Sequence, residues 1–167
     1  MANQMILELI SILDKQRELY RKLLEIAKNK QPTLIKGDLD AIEKFTEQEE
    51  KIVVQVGKLE EQRSRVHQAL ANHFHVPEAE FTLSELASRV GIEVSEKLSQ
   101  VGDGLKNVLN ELKDVNCLNS ELIKQSLDFI EFTMNLITSV EETSGYPEKP
   151  GESKREQPRA RVFDQKV

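Results

Sequence analysis

Apolar residues recur at steps of three and four along most of this chain, the spacing of amphipathic helices that pack through one seam. The first such segment runs from about Asn3 to Lys30, and the pairs Gln31–Pro32 and Gly37–Asp38 after it supply helix-ending and capping residues. A second segment of roughly 35 residues follows and ends near His73. We therefore predict two long helices joined by a short turn.

The next part of the pattern predicts one short helix and one very long one. A loop is expected around residues 76–78, and the run Thr82–Glu85 has the form of a capping box that opens a short helix ending near Gly91. From about Val94 to Val140 every step of the seam is three or four residues, which predicts a helix about 70 Å long. Its two glycines, in the run Gly102–Gly104, cost roughly 1 kcal/mol each relative to alanine, so this run is the weak point of the helix, where a kink or a break would occur first.

Together these elements predict an all-α fold. We expect an elongated antiparallel helical hairpin or three-helix bundle with coiled-coil-like packing and one short additional helix. Residues 1–142 are the predicted bundle domain. Residues 143–167 combine proline, glycine and mixed charges, which predicts a flexible, disordered C-terminal tail, either a mobile arm with a role or simply a frayed end.

Charge and cysteine content narrow the classes of partner and compartment. The net charge is −6, and because the tail carries six Lys/Arg against four Asp/Glu, the residues before it carry −8, which argues against nucleic acid as the principal partner. The single cysteine, Cys117, allows no intramolecular disulfide and suits a reducing compartment. We find neither a signal-peptide pattern nor an apolar run near ~18 residues, so we expect a cytoplasmic protein without direct membrane insertion.

Catalytic and metal-binding patterns are missing from the sequence. Three histidines, His67, His73 and His75, lie near the end of the second helix, but no Glu-x-x-His spacing of the di-iron bundles accompanies them. The chain has no Gly-rich phosphate loop, no Cys-x-x-Cys and no Gly-x-Ser-x-Gly. We expect no enzymatic activity, no cofactor and no metal, and a function exerted by binding other proteins.

The second half of the last helix is more apolar than one seam requires. An additional row repeats at multiples of seven beside the seam and is widened by further apolar residues: Leu109, Ile123, Ile130 and Ile137, with Leu127, Phe132 and Met134. The row is either core against the other helices, which the pattern alone favours, or an exposed groove for a partner's amphipathic helix. The main seam is interrupted by the polar residues Asn119, Ser126 and Thr133. Polar residues at such positions weaken the packing, which indicates that they fix the register of the helices or allow a partner to be exchanged.

Four motifs, in this order and spacing, resemble the FlgN family of flagellar export chaperones. They are Glu50–Val53, Leu59–Arg63, Val115–Ile123, and Tyr146 with Gly151. In that family the second helix carries Glu-Lys and an aliphatic stretch ending in Leu-Glu-x-x-Arg, the third a Leu-Asn-x-x-Asn-x-x-Leu-like run, and the tail opens with Tyr-Gly-x-x-Gly. The resemblance covers nearly the whole chain, with one departure: Pro147 stands where the family has the first glycine.

The resemblance implies a cytosolic, non-enzymatic chaperone that binds the terminal helices of the hook–filament junction proteins (hook-associated proteins), prevents their premature assembly and delivers them to the cytosolic domain of the flagellar export gate. In the family the second half of the last helix binds the client, so the resemblance favours the exposed groove over core for the additional apolar row. The resemblance also implies that Tyr146 docks at the gate. The implied client-binding residues are Asn119, Leu122, Ile123, Ser126, Leu127, Ile130, Met134 and Ile137. A homodimer of the client-free chain, and a non-catalytic coiled-coil spacer or tether acting by self-association, remain alternatives.

Overall fold

Four α-helices make up the part of the chain that the structure, a computed structural model, describes: residues 2–143, with side chains as far as Thr138. The helices are α1 (Ala2–Lys36), α2 (Leu39–Phe74), α3 (Leu83–Ser88) and α4 (Ile92–Thr143). No strand occurs within residues 2–143. The prediction of an all-α fold with long packed helices and one short helix is confirmed.

Helix α1 is longer than predicted, because it passes through Pro32 and ends at Lys36 instead of Lys30. A proline inside a helix removes one hydrogen bond and costs about 3 kcal/mol. Leu34, in the turn after the proline, is buried, and burying a leucine is worth about 1.5–3 kcal/mol, which offsets that cost. Gly37, directly after the helix, has a φ of +67°, and Asp38 N–H donates to Thr33 O at 3.0 Å, the arrangement of a Schellman cap.

Helix α2 begins directly after this cap. The Asp38 carboxylate accepts a 3.1 Å hydrogen bond from Ala41 N–H, as expected for an N-cap aspartate. At its other end His75 adopts the left-handed conformation, with φ 56°, and Val76 N–H donates to Ala71 O at 3.1 Å. The predicted length and the predicted loop after it are both confirmed.

The loop before helix α3 packs against α2 through a ring contact and a hydrogen bond. Thr82 Oγ1 accepts from Glu85 N–H at 3.1 Å, which forms half of the predicted capping box, while the Glu85 carboxylate accepts from Arg89 Nε at 2.7 Å. Phe81, buried before the helix, stacks on Phe74 with ring centroids 5.9 Å apart. Its carbonyl oxygen lies 2.6 Å from His67 Nε2.

The helix does not break at Gly102–Gly104, since α4 is continuous from Ile92 to Thr143. The glycines allow close approach of other elements. A Cβ on Gly102 would lie 2.6 Å from Leu83 Cδ2, and one on Gly104 would lie 3.1 Å from Arg17 Cδ. The helix tolerates the low propensity of glycine because α3 and α1 pack directly against its backbone here.

Within residues 2–130, α1 contacts both other long helices. It pairs closely with α2 in an antiparallel sense, since Gln16 bonds to Glu60 and Lys30 to Glu49. It runs parallel to α4, since Arg17 lies beside Gly104 whereas Asn119 reaches Ala27 further along both helices.

The main core cluster lies where the start of α1, the end of α2, α3 and the start of α4 meet. Its buried members are Ile6, Leu9, Ile12, Leu13, Val66, Leu70, Ala71, Phe81, Leu86, Leu98 and Val101. Buried side chains become scarcer in the rest of the first unit, where they come mostly from α1.

The chain divides into two compact units, residues 1–130 and 131–167. The described part of the second unit is the last stretch of α4, to Thr143. The predicted boundary between residues 142 and 143 stays a prediction, and the predicted tail from residue 144 onward lies outside the described residues.

Candidate functional site

The second half of α4 presents a row of exposed apolar side chains. In the first unit it comprises Ile123, Leu127 and Ile130, which are 43, 60 and 53% exposed. In the second unit Met134 and Ile137 follow at the same three- and four-residue spacing, and are 54 and 59% exposed. We call Ile123, Leu127 and Ile130, the three residues of the first unit, the α4 apolar row. The interpretation of this row as core is wrong for the isolated chain, because side chains on a core face would be buried.

Asn119 differs from the other residues that the family resemblance marks. It is only 4% exposed, and its Nδ2 donates to the main-chain oxygen of Ala27 at 2.9 Å. Its Oδ1 is buried and has no hydrogen-bond partner among the described residues. Asn119 therefore joins α4 to α1, and its contact with a client stays a prediction.

The two other residues implied as client-binding lie at the edge of the row. Leu122 is half-buried, while Ser126 is exposed and donates its hydroxyl to Leu122 O at 2.9 Å. That hydrogen bond stays within α4, as is common for serine in helices. Both residues line a depression of about 480 Å³ beside Leu34 and Ile35 at the end of α1.

Sequence reasoning missed the apolar residues at the tip of the α1–α2 hairpin. Ile35 and Leu39 flank the Gly37–Asp38 turn and are both exposed. Each stands two residues from Gly37. An apolar residue so close to a helix-ending glycine is a signal that could have marked the tip, because a turn lies at a bundle's end.

A second unpredicted feature is a groove between α2 and α4, floored by α1. It consists of two successive depressions of about 560 Å³ and 410 Å³. The floor positions on α1 recur at steps of three or four, with one step of seven, so that they share one helix face: Leu9, Leu13, Gln16, Tyr20, Leu23 and Lys30. We call this feature the α2–α4 groove.

One polar cluster crosses the α2–α4 groove. Gln16, 2% exposed, donates from Nε2 to Glu60 Oε2 at 3.1 Å, and Arg63 Nε donates to the same carboxylate at 2.8 Å. The hydrogen bond from Arg63 lowers the pKa of the Glu60 carboxyl and raises that of Arg63. Partial burial, reinforced by the Glu60 charge, raises the pKa of the Tyr20 phenol. Gln16, Glu60 and Arg63 are thus hydrogen-bonded to one another.

The three histidines serve the fold. His67 bonds to the Phe81 carbonyl, His73 lies edge-on to Phe74 with centroids 5.2 Å apart, and His75 forms the C-cap of α2. Within residues 2–143 no group of three or more His, Cys, Asp or Glu side chains could hold a metal ion.

Tyr146, the residue implied for gate docking, lies outside the described residues. None of the four described helices combines the length and apolar character that crossing a bilayer requires.

Comparison with known proteins gives one family and one relative. The model of the FlgN protein family matches residues 1–153. An uncharacterized protein of Bacillus subtilis (strain 168), YvyG, is 22% identical over 149 residues, which cover 89% of this chain and 91% of the relative. No solved structure matches.

Proposed function

Because this chain belongs to the FlgN family of flagellar export chaperones, we propose that it binds the terminal helices of the hook–filament junction proteins in the cytoplasm and delivers them to the export gate. A terminal segment that is disordered before assembly and amphipathic when helical would expose an apolar stripe, and a chaperone that covers this stripe would prevent premature assembly. The observation that carries the proposal is the α4 apolar row, which is exposed in the chain without a client.

The exposed area of the row sets the strength of binding it can support. Fully burying one aliphatic side chain is worth about 1.5–3 kcal/mol. Because the three side chains are 43–60% exposed, covering them yields a gross gain of about 2–5 kcal/mol. Association costs at least about 4 kcal/mol in lost freedom. The row alone therefore supports only weak binding, and a tightly held client must contact more of the chain.

Charges placed in the row test client binding. Ile123→Asp with Ile130→Asp should abolish binding of a hook-associated protein from the same bacterium in titration calorimetry, because covering a carboxylate with an apolar client surface is strongly unfavourable. Both residues are exposed, so circular dichroism should show an unchanged helix content. The matched control is Leu7→Asp with Ile92→Asp, two exposed apolar residues elsewhere on the first unit, which should bind like the parent. If Ile123→Asp with Ile130→Asp binds the hook-associated protein with parental affinity, the row does not bind the client.

Delivery to the gate is a separate step of the proposal. Tyr146 is one of two tyrosines in the chain and lies between glycine and proline residues, and exposed aromatic residues are frequent anchors in partner pockets. Tyr146→Ala should weaken binding to the purified cytosolic domain of the export gate by about 30- to 1000-fold, while client affinity stays unchanged. Tyr146→Phe keeps the ring and should retain most of the affinity. Equal gate affinity of parent and alanine variant would contradict a docking role.

Self-association is the second candidate, because an exposed apolar row can pair with a second copy as well as with a client. A spacer or tether would remain dimeric whatever is added. A chaperone that dimerises through the row should lose the dimer when the client binds. Analytical ultracentrifugation of the chain with and without an equimolar hook-associated protein distinguishes the two.

A further inference from the structure

The α2–α4 groove has the dimensions of a helix-binding site. Its floor on α1 extends from Leu9 to Lys30, which is about 32 Å of helix. An occupying helix of about 20 residues would lie against α1, α2 and α4 as the fourth member of a helical bundle. The first unit by itself leaves this position open.

Apolar atoms make up most of the exposed lining of the groove, and the cluster of Gln16, Glu60 and Arg63 interrupts it. At the end nearest α3 it includes Leu83 and Leu86, and further along it is bounded by Leu109 on α4 and by Val53 on α2. Leu109 and Val53 are 38 and 57% exposed, so both have area left to cover. Such a surface suits the apolar stripe of an amphipathic helix.

The groove is continuous with the α4 apolar row. Ile123 belongs to both, because it lines the second depression of the groove and opens the row. Along α4 the positions Leu109, Asn116, Ile123 and Ile130 repeat every seven residues, so they share one face of the helix. A helix that lies on the row can therefore extend into the groove without changing direction.

Charge distinguishes between the possible occupants. The Glu60 and Arg63 charges neutralise each other, whereas Lys106, which also lines the groove, makes no ion pair within the described residues. An occupant with an acidic residue opposite Lys106 is therefore favoured. The chain's own residues 143–167 carry six Lys/Arg against four Asp/Glu, which makes them poorer candidates.

A second copy of this chain is the competing occupant, because its α4 also carries exposed apolar side chains from Ile123 onward. In the first unit α4 is packed against α1 through Asn119 and Ala27. Cross-linking in the presence of saturating client distinguishes the two occupants.

We propose that the α2–α4 groove is a second part of the client-binding site, occupied by an amphipathic, acidic helical segment of the client that continues from the α4 apolar row towards α3. The inference rests on the proposed function, and it supplies the additional contact surface that a tightly held client requires. It assigns binding roles to Val53, Leu109 and Lys106.

Charges placed in the groove test this assignment separately from the row. Val53→Glu with Leu109→Glu should weaken binding of the hook-associated protein by about 30-fold or more in titration calorimetry, because each carboxylate would have to be buried under the client helix. The matched control is Val54→Glu with Leu118→Glu, which alters exposed residues on the same two helices outside the groove lining and should bind like the parent.

The outcomes of the two experiments are distinguishable. If the parent binds no hook-associated protein, the proposed function fails. If the parent binds, the row variant does not, and the groove variant keeps parental affinity, the function stands and the groove assignment is overturned. Loss of affinity in the groove variant but not in its control supports the assignment, provided that circular dichroism shows the same helix content for both.

Cross-linking identifies the occupant directly. In a Cys117→Ser background, which removes the one native thiol, Val53→Cys is labelled with a photoreactive benzophenone, and Val54→Cys is the control. We expect a covalent adduct between the chain and a helical segment of the hook-associated protein from position 53 only. An adduct with a second copy of the chain, or an internal one with residues 143–167, in the presence of saturating client would overturn the proposal.

Discussion

Asn119 of α4 donates a 2.9 Å hydrogen bond from its buried Nδ2 to the main-chain oxygen of Ala27 in α1. This bond joins two helices whose other described polar contacts are largely at the surface, such as the exposed pair Lys28 and Glu111. A single buried amide in a helical seam specifies register, since a shift along the helix leaves it without its acceptor. The relative position of α1 and α4, and with it the width of the α2–α4 groove, depends on this contact.

The first prediction concerns that bond. Asn119→Ala should lower the free energy of unfolding by about 1–3 kcal/mol, since a buried hydrogen bond is lost and a space remains. Urea unfolding followed by circular dichroism measures the change. Asn116→Ala, at an exposed position one turn earlier, should change stability by less than about 0.5 kcal/mol. If Asn119→Ala instead leaves stability unchanged but weakens client binding, Asn119 contacts the client directly.

Two glycines in helix interiors should respond to alanine in opposite directions. Gly57→Ala should raise the free energy of unfolding by about 0.5–1 kcal/mol, because alanine is the better helix former and no atom lies within 4 Å of the new Cβ. At Gly102 the Cβ would lie 2.6 Å from Leu83 Cδ2, and overpacking costs about 1–3 kcal/mol. Gly102→Ala should therefore lower stability, and Leu83→Ala added to it should recover part of the loss. If both alanine variants were stabilised equally, the Leu83 side chain of α3 would have moved away from the new Cβ without lowering the free energy of unfolding.

The raised pKa of Tyr20 predicts a pH dependence of stability. Partial burial and the nearby Glu60 charge favour the protonated phenol in the folded chain. Its stabilising contribution is therefore complete below the unfolded pKa of about 10 and is lost as the pH rises through the folded value. Between pH 8 and pH 11 the parent should lose more unfolding free energy than Tyr20→Phe, measured by urea unfolding at each pH. The same loss in both proteins would contradict the assignment.

The same phenol reports on the α2–α4 groove, which it lines. In a Tyr146→Phe background Tyr20 is the remaining tyrosine, so phenolate absorbance follows its titration alone. Client bound in the groove should raise the pKa of Tyr20 further, because covering the ring increases its desolvation. A tyrosine-free client segment is used as the ligand. An unchanged titration with client bound would place the client elsewhere.

The charge of Lys106 supplies the last prediction. Lys106→Glu should weaken client binding about tenfold and reduce its salt dependence, because an attraction between opposite charges becomes a repulsion. Lys22→Glu changes an exposed lysine on α1 that does not line the groove, and is the matched control. Titration calorimetry at two salt concentrations measures both effects. Tighter binding by Lys106→Glu would mean that the occupant is basic.

The sequence alone determined the helices and their caps, because both depend on residues a few positions apart in the chain. A three- and four-residue apolar spacing specifies a helix and its inner face, and Asp38 and Thr82 were recognised as caps because a capping side chain bonds to main-chain groups two or three residues away. Family membership was also accessible from the sequence, since the motifs at Glu50–Val53 and Val115–Ile123 lie in order and at the right separation.

Only the tertiary structure decided which faces are covered. Heptad spacing shows that Ile123, Leu127 and Ile130 share a face but not whether another helix lies on it, so pattern alone placed in the core a row that is exposed. The passage of α1 through Pro32 and of α4 through Gly102 depends on neighbours, because burial of Leu34 and close packing of Leu83 offset a poor local preference. The α2–α4 groove was likewise beyond the sequence, since it is the space left by helices whose contacts join residues far apart in the chain.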